Sequence, residues 1–185
     1  MSKRLFVSVG LDGLADEVRT VQERFAEASG LNFTDPEQAH VTLKFLGETD
    51  DDEIQALREQ LTGAVTDSGV GPFTAEFGGL GVFPSLDYIS VVWLGVRDGS
   101  DDLTRLHEAI ERRTVAMGFD SEDHEFTPHA TLARMDHAGG KELVQRVVEN
   151  DDPTVGTRRI EAVGLVESTL TRDGPEYTTL ESIPL

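Results

Sequence analysis

Two short segments of the sequence repeat one pattern of histidine, a small apolar residue, threonine and leucine. They are His40-Val41-Thr42-Leu43 and His129-Ala130-Thr131-Leu132, and 89 residues separate the two histidines. Alternate side chains of a β-strand lie on the same face, so each histidine shares a face with its threonine. We therefore predict two strands that bury their apolar face and line a polar groove with the other.

Two histidines that face a common point suit the chemistry of phosphate esters. A neutral imidazole takes a proton from an attacking water or hydroxyl group, and an imidazolium gives a proton to the leaving oxygen. An unperturbed histidine pKa of ~6.5 allows both forms near neutral pH. The hydroxyl groups of Thr42 and Thr131 are placed to donate hydrogen bonds to the non-bridging phosphate oxygens. This scheme requires no cofactor.

Other interpretations of these segments remain open. The two strands could carry unrelated histidines on polar faces. A metal site needs a third ligand, and no histidine, cysteine or carboxylate stands at a suitable spacing, so we expect no metal. Lys44 shares the predicted face of His40, where it either adds positive charge to the groove or is solvated. Strict alternation puts Arg134 on the opposite face from His129.

The remaining histidines, His107, His124 and His137, are expected to be solvated or to cap helices.

The elements that position the two segments alternate between strand and helix patterns. Strands are predicted over 4–10, 39–46, 73–83, 88–96 and 129–135 and near 157–168 and 176–183. Helices are predicted over 13–29, from the acidic run 49–53 onward, over 101–117 and over 140–149. Each histidine segment follows a strand and a helix and precedes a helix. This mixed order predicts an α+β fold, with residues 1–185 forming one domain of two similar halves.

Charge and composition exclude several classes of protein. The chain has 35 acidic and 16 basic residues, a net charge of −19, so it lacks the basic surface that duplex DNA requires. No apolar run reaches the ~18–20 residues of a membrane span. Cysteine is absent, which favours the cytoplasm. An acid-rich, lysine-poor chain is typical of a halophilic cytosol, because molar salt screens self-repulsion, although an ordinary acidic protein is the alternative.

The sequence resembles the 2H phosphoesterases, and within them the RNA 2′,3′-cyclic phosphodiesterase group, which is 2′–5′ RNA ligase-like. The resemblance extends nearly end to end and is carried by segments 40–47, 92–96, 126–134, 165–168 and 174–177. It implies a bilobal fold of two pseudo-symmetric lobes of mainly antiparallel sheet, with outer helices and a central cleft. It also implies hydrolysis of RNA or nucleoside 2′,3′-cyclic phosphates to 2′-phosphomonoesters.

The resemblance further implies a role for each site residue. His40 matches the proton donor to the leaving 3′ oxygen, His129 matches the base that activates water, and Thr42 and Thr131 match the phosphate-holding threonines. The implied partners are RNA ends or nucleotides with a 2′,3′-cyclic phosphate, and we expect a monomer that binds no membrane. The alternatives are 2′–5′ RNA ligation, cleavage of 2′–5′ oligonucleotides or of a small cyclic nucleotide, a non-catalytic RNA-end-binding module, and a structural acidic domain.

Overall fold

The computed structural model describes residues 1–185 as nine β-strands and four α-helices, with 3₁₀ turns at Pro36–Gln38 and Asp51–Glu53. The strands are β1 (Ser2–Gly10), β2 (Leu31–Phe33), β3 (His40–Asp50), β4 (Phe73–Pro84), β5 (Ile89–Val96), β6 (His129–Met135), β7 (Thr154–Ile160), β8 (Ala162–Thr171) and β9 (Gly174–Pro184). The helices are α1 (Ala15–Glu23), α2 (Ile54–Ser68), α3 (Ser100–Met117) and α4 (Lys141–Asn150). The predicted α+β class is confirmed.

The strands form one antiparallel sheet in the order β7-β4-β5-β6-β3-β1-β8-β9, and β2 pairs with β6. From the middle outward, this order has two matching halves: β3, β1, β8 and β9 on one side, and β6, β5, β4 and β7 on the other. In each half the innermost strand carries a histidine segment between two helices. The predicted pseudo-symmetric halves are therefore present as the two sides of a single sheet.

The sheet curls strongly on itself. Arg158 of β7 donates a hydrogen bond to the carbonyl oxygen of Gly10 at the end of β1 (2.6 Å). Five strand spacings separate β7 from β1, which is roughly 24 Å in a flat sheet and more than one arginine side chain can span. The two strands must therefore approach each other across the concave face, where a cleft forms.

The helices exchange sides between the two halves. Helix α1 leads into β3 but packs against β6 and β7 of the other half, and α3 leads into β6 but packs against β3. The resulting core is one cluster of 36 buried hydrophobic residues, so the halves share a single interior. None of the four helices is both long and apolar enough to cross a bilayer.

Local sequence explains where the helices begin and end. The acidic run becomes the 3₁₀ turn Asp51–Glu53, directly followed by α2, as predicted. Negative charge at this position suits the positive end of the helix dipole. Helices α2 and α3 end at Gly69 and Gly118, which have left-handed backbones (φ 69° and 108°) that glycine adopts without a steric penalty.

Three predicted boundaries are wrong. The strand expected over 39–46 extends to Asp50, so Thr49 and Asp50 belong to β3 and not to the start of a helix. The strand expected near 157–168 is two strands, because the chain breaks at Glu161 and β7 and β8 lie near opposite edges of the sheet. The helix expected over 13–29 ends at Glu23, and the short strand β2 was not predicted. Beyond Glu23 the chain continues in tight turns that keep Phe25 and Ala28 buried. The spacing of apolar residues that predicted the helix therefore continues past its last residue.

Candidate active site

The two histidine segments meet in the middle of the sheet. Strands β3 and β6 are joined at one antiparallel pair, Val41 and Ala130, and each of these residues directly follows a histidine. Both are fully buried, so the neighbouring side chains on each strand lie on the other, concave face. Those half-buried neighbours are the predicted site residues His40, Thr42, His129 and Thr131. The antiparallel register places each histidine beside the threonine of the other strand.

Both imidazole rings are held in the same way. The Nδ1 atom of His40 lies 2.9 Å from the carbonyl oxygen of Gln38, and that of His129 lies 2.6 Å from the carbonyl oxygen of Thr127. A carbonyl oxygen can only accept, so Nδ1 carries the proton of each neutral ring. Nε2 of each ring is thereby left as the atom that exchanges a proton in the cleft.

Gln38 links His40 to β9, the edge strand of its half of the sheet. While its main-chain oxygen binds the imidazole, its side-chain amide donates to the carbonyl oxygen of Pro175 and accepts from the backbone N–H of Tyr177, both at 3.0 Å. The ring of Tyr177 meets that of His40 edge to face at 5.1 Å, and Phe6 lies 5.0 Å from it on another side. Phe6 and Tyr177 are themselves 5.2 Å apart, so the imidazole packs with them in one aromatic cluster.

A second aromatic group surrounds His129. Phe83 meets its ring edge to face at 4.9 Å, and Trp93 lies 5.8 Å away. The indole lies directly over Gly81 of the adjacent strand, where an added Cβ would be 2.1 Å from the ring. Gly81 is therefore required for the indole to occupy this position beside His129.

A β-bulge interrupts each histidine strand at the leucine of its motif. The pairing of β3 with β1 skips Leu43, and the pairing of β6 with β5 skips Leu132. Each bulge adds one residue to its strand, so the alternation of faces shifts by one. Consequently Leu43 and Lys44 are both buried and the next residue, Phe45, is 65% exposed.

The bulge in β3 overturns both expectations for Lys44. Its side chain is 1% exposed and lies behind the sheet, away from His40. Its ammonium group forms an ion pair with Glu111 of α3 (2.9 Å) and a hydrogen bond to the carbonyl oxygen of Asp120. Burial raises the pKa of Glu111, but hydrogen bonds from Lys44 and from the Glu122 amide outweigh it, so the pKa is lowered. Lys44 therefore fastens the loop before β6 to the back of β3.

The bulge in β6 brings Arg134, which sequence reasoning excluded, onto the cleft face. Leu132 and Ala133 are both buried, so Arg134 follows them as an exposed residue on the same side as His129. Its positive charge is close enough to lower the pKa of both His40 and His129. One feature of the sequence could have indicated this position. Arg134 lies five residues after His129, as Phe45 lies five residues after His40, so an equivalent bulge displaces each residue.

Burial is the main cause of the pKa shifts in the cleft. It lowers the pKa of His40 and His129, and the hydrogen bond that each ring makes to a backbone carbonyl offsets only part of that effect. The charge of His129 lowers the pKa of His40 further. Burial also raises the pKa of Tyr177, so its phenol stays neutral and keeps a hydroxyl group that can donate.

A cavity of about 450 Å³ opens beside His40, which lines it together with Tyr177, Ser8 and Thr179. Arg158 of β7 also lines it, whereas Thr42, His129, Thr131 and Arg134 do not. This volume lies within the ~300–1,000 Å³ of typical small-molecule sites. No three histidine, aspartate or glutamate side chains are arranged as a metal-binding group.

The other histidines lie outside the cleft. His124 and His137 are exposed, as predicted. His107 is 8% exposed, which contradicts the expectation that it is solvated or caps a helix. The reason is that α3 packs against β3, where the Nδ1 atom of His107 donates to the carbonyl oxygen of Leu43 (2.7 Å). Its ring stacks on Phe126 at 4.1 Å.

Solved structures share this fold. The structure of TT0787 from Thermus thermophilus aligns with a TM-score of 0.79 at 27% sequence identity, over 98% of this chain and 97% of that one. The structure of Escherichia coli LigT complexed with 3′-AMP aligns with a TM-score of 0.80 at 23% identity, over 100% and 99% of the two chains. The predicted bilobal architecture is therefore that of known proteins.

Sequence relatives match most of this chain. An RNA 2′,3′-cyclic phosphodiesterase of Methanothermobacter thermautotrophicus is 34% identical over 184 residues, which is 98% of each chain. Another, from Aeropyrum pernix, is 38% identical over 148 residues, covering 80% of this chain and 82% of its own. The family model of the 2′–5′ RNA ligase superfamily matches residues 11–171. These matches confirm the resemblance seen in the sequence, and the chain belongs to the 2′–5′ RNA ligase superfamily.

Proposed function

We propose that this protein hydrolyses the 2′,3′-cyclic phosphate of RNA ends or nucleotides to a 2′-phosphomonoester. The observation that carries the proposal is the matched pair of histidines, each fixed through Nδ1 to a backbone carbonyl and each leaving Nε2 free beside the other strand's threonine. The relatives named RNA 2′,3′-cyclic phosphodiesterase support the choice of substrate.

In the proposed reaction His129 acts as the proton acceptor and His40 as the proton donor. Nε2 of neutral His129 takes a proton from a water molecule whose oxygen attacks phosphorus. The bond between phosphorus and the 3′ oxygen breaks, and Nε2 of protonated His40 gives that oxygen its proton. The product carries the phosphate on the 2′ oxygen, and the two rings regain their starting states by exchanging protons with solvent.

The remaining cleft residues stabilise the phosphate. Thr42 and Thr131 donate hydrogen bonds to the non-bridging oxygens, and the guanidinium group of Arg134 balances the charge that grows on them. In this proposal the sheet positions the donors before the reaction, which is the condition under which hydrogen bonds accelerate a charged transition state. The scheme uses no cofactor and no metal ion.

We also propose that the enzyme works in a salt-rich cytoplasm, as a monomer in which residues 1–185 act as one domain. A net charge of −19 repels RNA at long range, and molar salt shortens that repulsion to a few ångströms. Recognition then depends on the local contacts of the cleft, which suits a chain end carrying a cyclic phosphate.

The test is an assay in molar KCl with EDTA, offering each of the four nucleoside 2′,3′-cyclic phosphates and a short RNA with the same end. Phosphorus NMR reads the position of the product phosphate. His40→Asn and His129→Asn keep a donor for the backbone carbonyl but lack the second ring nitrogen. We expect each to reduce kcat by about 10²–10⁴-fold, and His137→Asn, an exposed histidine, to be without effect.

A phosphodiester with a p-nitrophenolate leaving group separates the two roles, because this leaving group needs no proton. His40→Asn should keep most of its activity on that ester, and His129→Asn should not. Equal losses would contradict the assignment of donor and acceptor. Near wild-type turnover of cyclic phosphates by either variant would overturn the paired mechanism, and tight binding of RNA ends without any product would identify a binding module instead.

A further inference from the structure

At each β-bulge the backbone carbonyl of the bulged leucine accepts a hydrogen bond from a buried polar side chain of a helix. The carbonyl oxygen of Leu43 accepts from Nδ1 of His107 in α3 at 2.7 Å. The carbonyl oxygen of Leu132 accepts from Nε2 of Gln22 in α1 at 3.0 Å, and Thr34 also donates to it through its backbone N–H (3.0 Å) and its hydroxyl group (3.1 Å). Nε2 of Gln22 donates to the carbonyl oxygen of Thr34 as well (2.9 Å), so Gln22 holds Thr34 in place. Both bulges are therefore held from the same side.

The two side chains are equivalent in the pseudo-symmetry of the fold. Gln22 belongs to the helix that leads into β3 and binds β6, whereas His107 belongs to the helix that leads into β6 and binds β3. They are 7% and 8% exposed, in a helix layer whose other buried members are almost all apolar. Each half thus sends one polar group across to the motif strand of the other.

A bulge needs such a partner for a physical reason. The extra residue falls out of step with the neighbouring strand, so the regular ladder of hydrogen bonds is disrupted there. A buried carbonyl that loses a donor is destabilised, and a straightened strand would regain the ladder. In β3 the lost donor is His107, and in β6 it is Gln22, which also holds Thr34, the other donor to Leu132. A straightened β3 would return Lys44 to the cleft face and Phe45 to the core. A straightened β6 would likewise return Ala133 to the cleft face and Arg134 to the core.

We propose that Gln22 and His107 are positioning residues that hold the two bulges and thereby direct Arg134 and Phe45 into the cleft. Neither residue touches the substrate, and each acts through the strand that it braces. Gln22 sets the position of Arg134, and His107 sets that of Phe45. This proposal rests on the proposed function only where the effect of substituting Gln22 or His107 is measured as a change in catalytic activity.

Double-mutant cycles test this assignment. Gln22→Met should reduce kcat/KM for a cyclic phosphate about five- to tenfold in the wild-type background. In a chain that already carries Arg134→Gln it should cost less than about twofold, because the residue that it positions is gone. His107→Leu should behave in the same way with Phe45→Ala, and His107→Asn, which keeps a donor near Nδ1, should restore most of the loss.

Thr114→Val is the matched control. Thr114 is fully buried in α3, but its hydroxyl donates only to the carbonyl oxygens of Ile110 and Glu111 within the same helix. We expect this variant to lower stability and leave kcat/KM close to wild type while the protein is folded. Losses that add fully in the cycles, or an equal loss in Thr114→Val, would overturn the positioning role.

A second readout is independent of activity. Trp93 is the single tryptophan, and it pairs with Thr131 where the register shifts at the bulge of β6. Gln22→Met should change its near-ultraviolet circular dichroism band, and Thr114→Val should not. If the wild-type protein hydrolyses no cyclic phosphate, the proposed function fails, but the circular dichroism band still tests the positioning role of Gln22. A changed band in Gln22→Met supports that role, and an unchanged band overturns it.

Discussion

Phe45 and Arg134 occupy equivalent places in the two halves of the sheet, each five residues after its histidine and each on the cleft face. The histidines and the threonines of the two halves are matched in residue type across the cleft, but Phe45 and Arg134 differ in type. One side therefore presents an exposed aromatic ring, 6.3 Å from Phe6, and the other presents a cation. The asymmetry gives a direction to an otherwise symmetric site, and under the proposed function we expect a base on the Phe45 side and the phosphate charge nearer Arg134.

Replacing Phe45 by alanine is expected to weaken substrate binding more than turnover. Stacking of a base on an aromatic ring contributes about 1–3 kcal/mol, so KM should rise about fivefold or more while kcat changes little. Phe45→Tyr should retain the effect of the ring. Tyr88, which is 71% exposed on the loop between β4 and β5, provides the control, and Tyr88→Ala should leave KM unchanged. Steady-state kinetics on a nucleoside cyclic phosphate measure both constants. An unchanged KM for Phe45→Ala would contradict this prediction.

The pH dependence of kcat/KM should show both histidines titrating on the acid side of the ordinary value. Burial lowers the pKa of His40 and His129, so the ring that must be protonated loses its proton below about pH 6.5. Arg134 lowers both values further, so Arg134→Gln should move the alkaline limb to higher pH while reducing the maximum rate. Profiles are measured at the lowest salt at which the protein stays folded, since salt screens the arginine charge.

Arg146→Gln is the control for that shift, because Arg146 is exposed on α4 and contacts neither histidine. Its profile should overlay that of the wild type. An alkaline limb that stays in place in Arg134→Gln would show that the guanidinium group does not act on the two rings.

Lys44 should matter for stability and not for turnover. Lys44→Met leaves Glu111 without its partner at a site where that carboxylate is only 20% exposed. Breaking a fully buried pair costs about 3–5 kcal/mol, and partial solvation of Glu111 should reduce the loss to about 2–3 kcal/mol. Lys44→Met/Glu111→Gln should recover most of it. Urea unfolding measures both changes, and a large loss of kcat at unchanged stability would instead place Lys44 in the cleft.

Stability should rise with KCl between 0.1 and 1 M, where the Debye length falls from about 10 to about 3 Å. The cause is screening of the repulsion among 35 acidic residues, so neutralising some of them should weaken the dependence. Glu23→Gln/Glu59→Gln/Glu108→Gln changes three exposed carboxylates on three helices. Thermal unfolding across the salt series measures the slope, and equal slopes in the variant and the wild type would contradict the halophilic interpretation.

Much of the site could be predicted because it depends on local chemistry. Alternation along a strand put His40 with Thr42 and His129 with Thr131, and the internal repeat related the two pairs, all without knowledge of their neighbours. The α+β class and most helix and strand boundaries followed from apolar spacing and from glycine and acidic residues at the ends. Burial in the structure agrees with the predicted faces as far as the leucine of each motif.

The faces beyond that leucine could not be predicted, because a bulge is a property of two strands. Whether Leu43 and Leu132 lie opposite a partner depends on β1 and β5, and the carbonyls that they expose are satisfied by helices distant in sequence. The same contacts bury His107 and Lys44, which local reasoning assigned to solvent or to the cleft. The sequence by itself determined the candidate reacting groups, and the tertiary structure decided which charged and aromatic side chains accompany them.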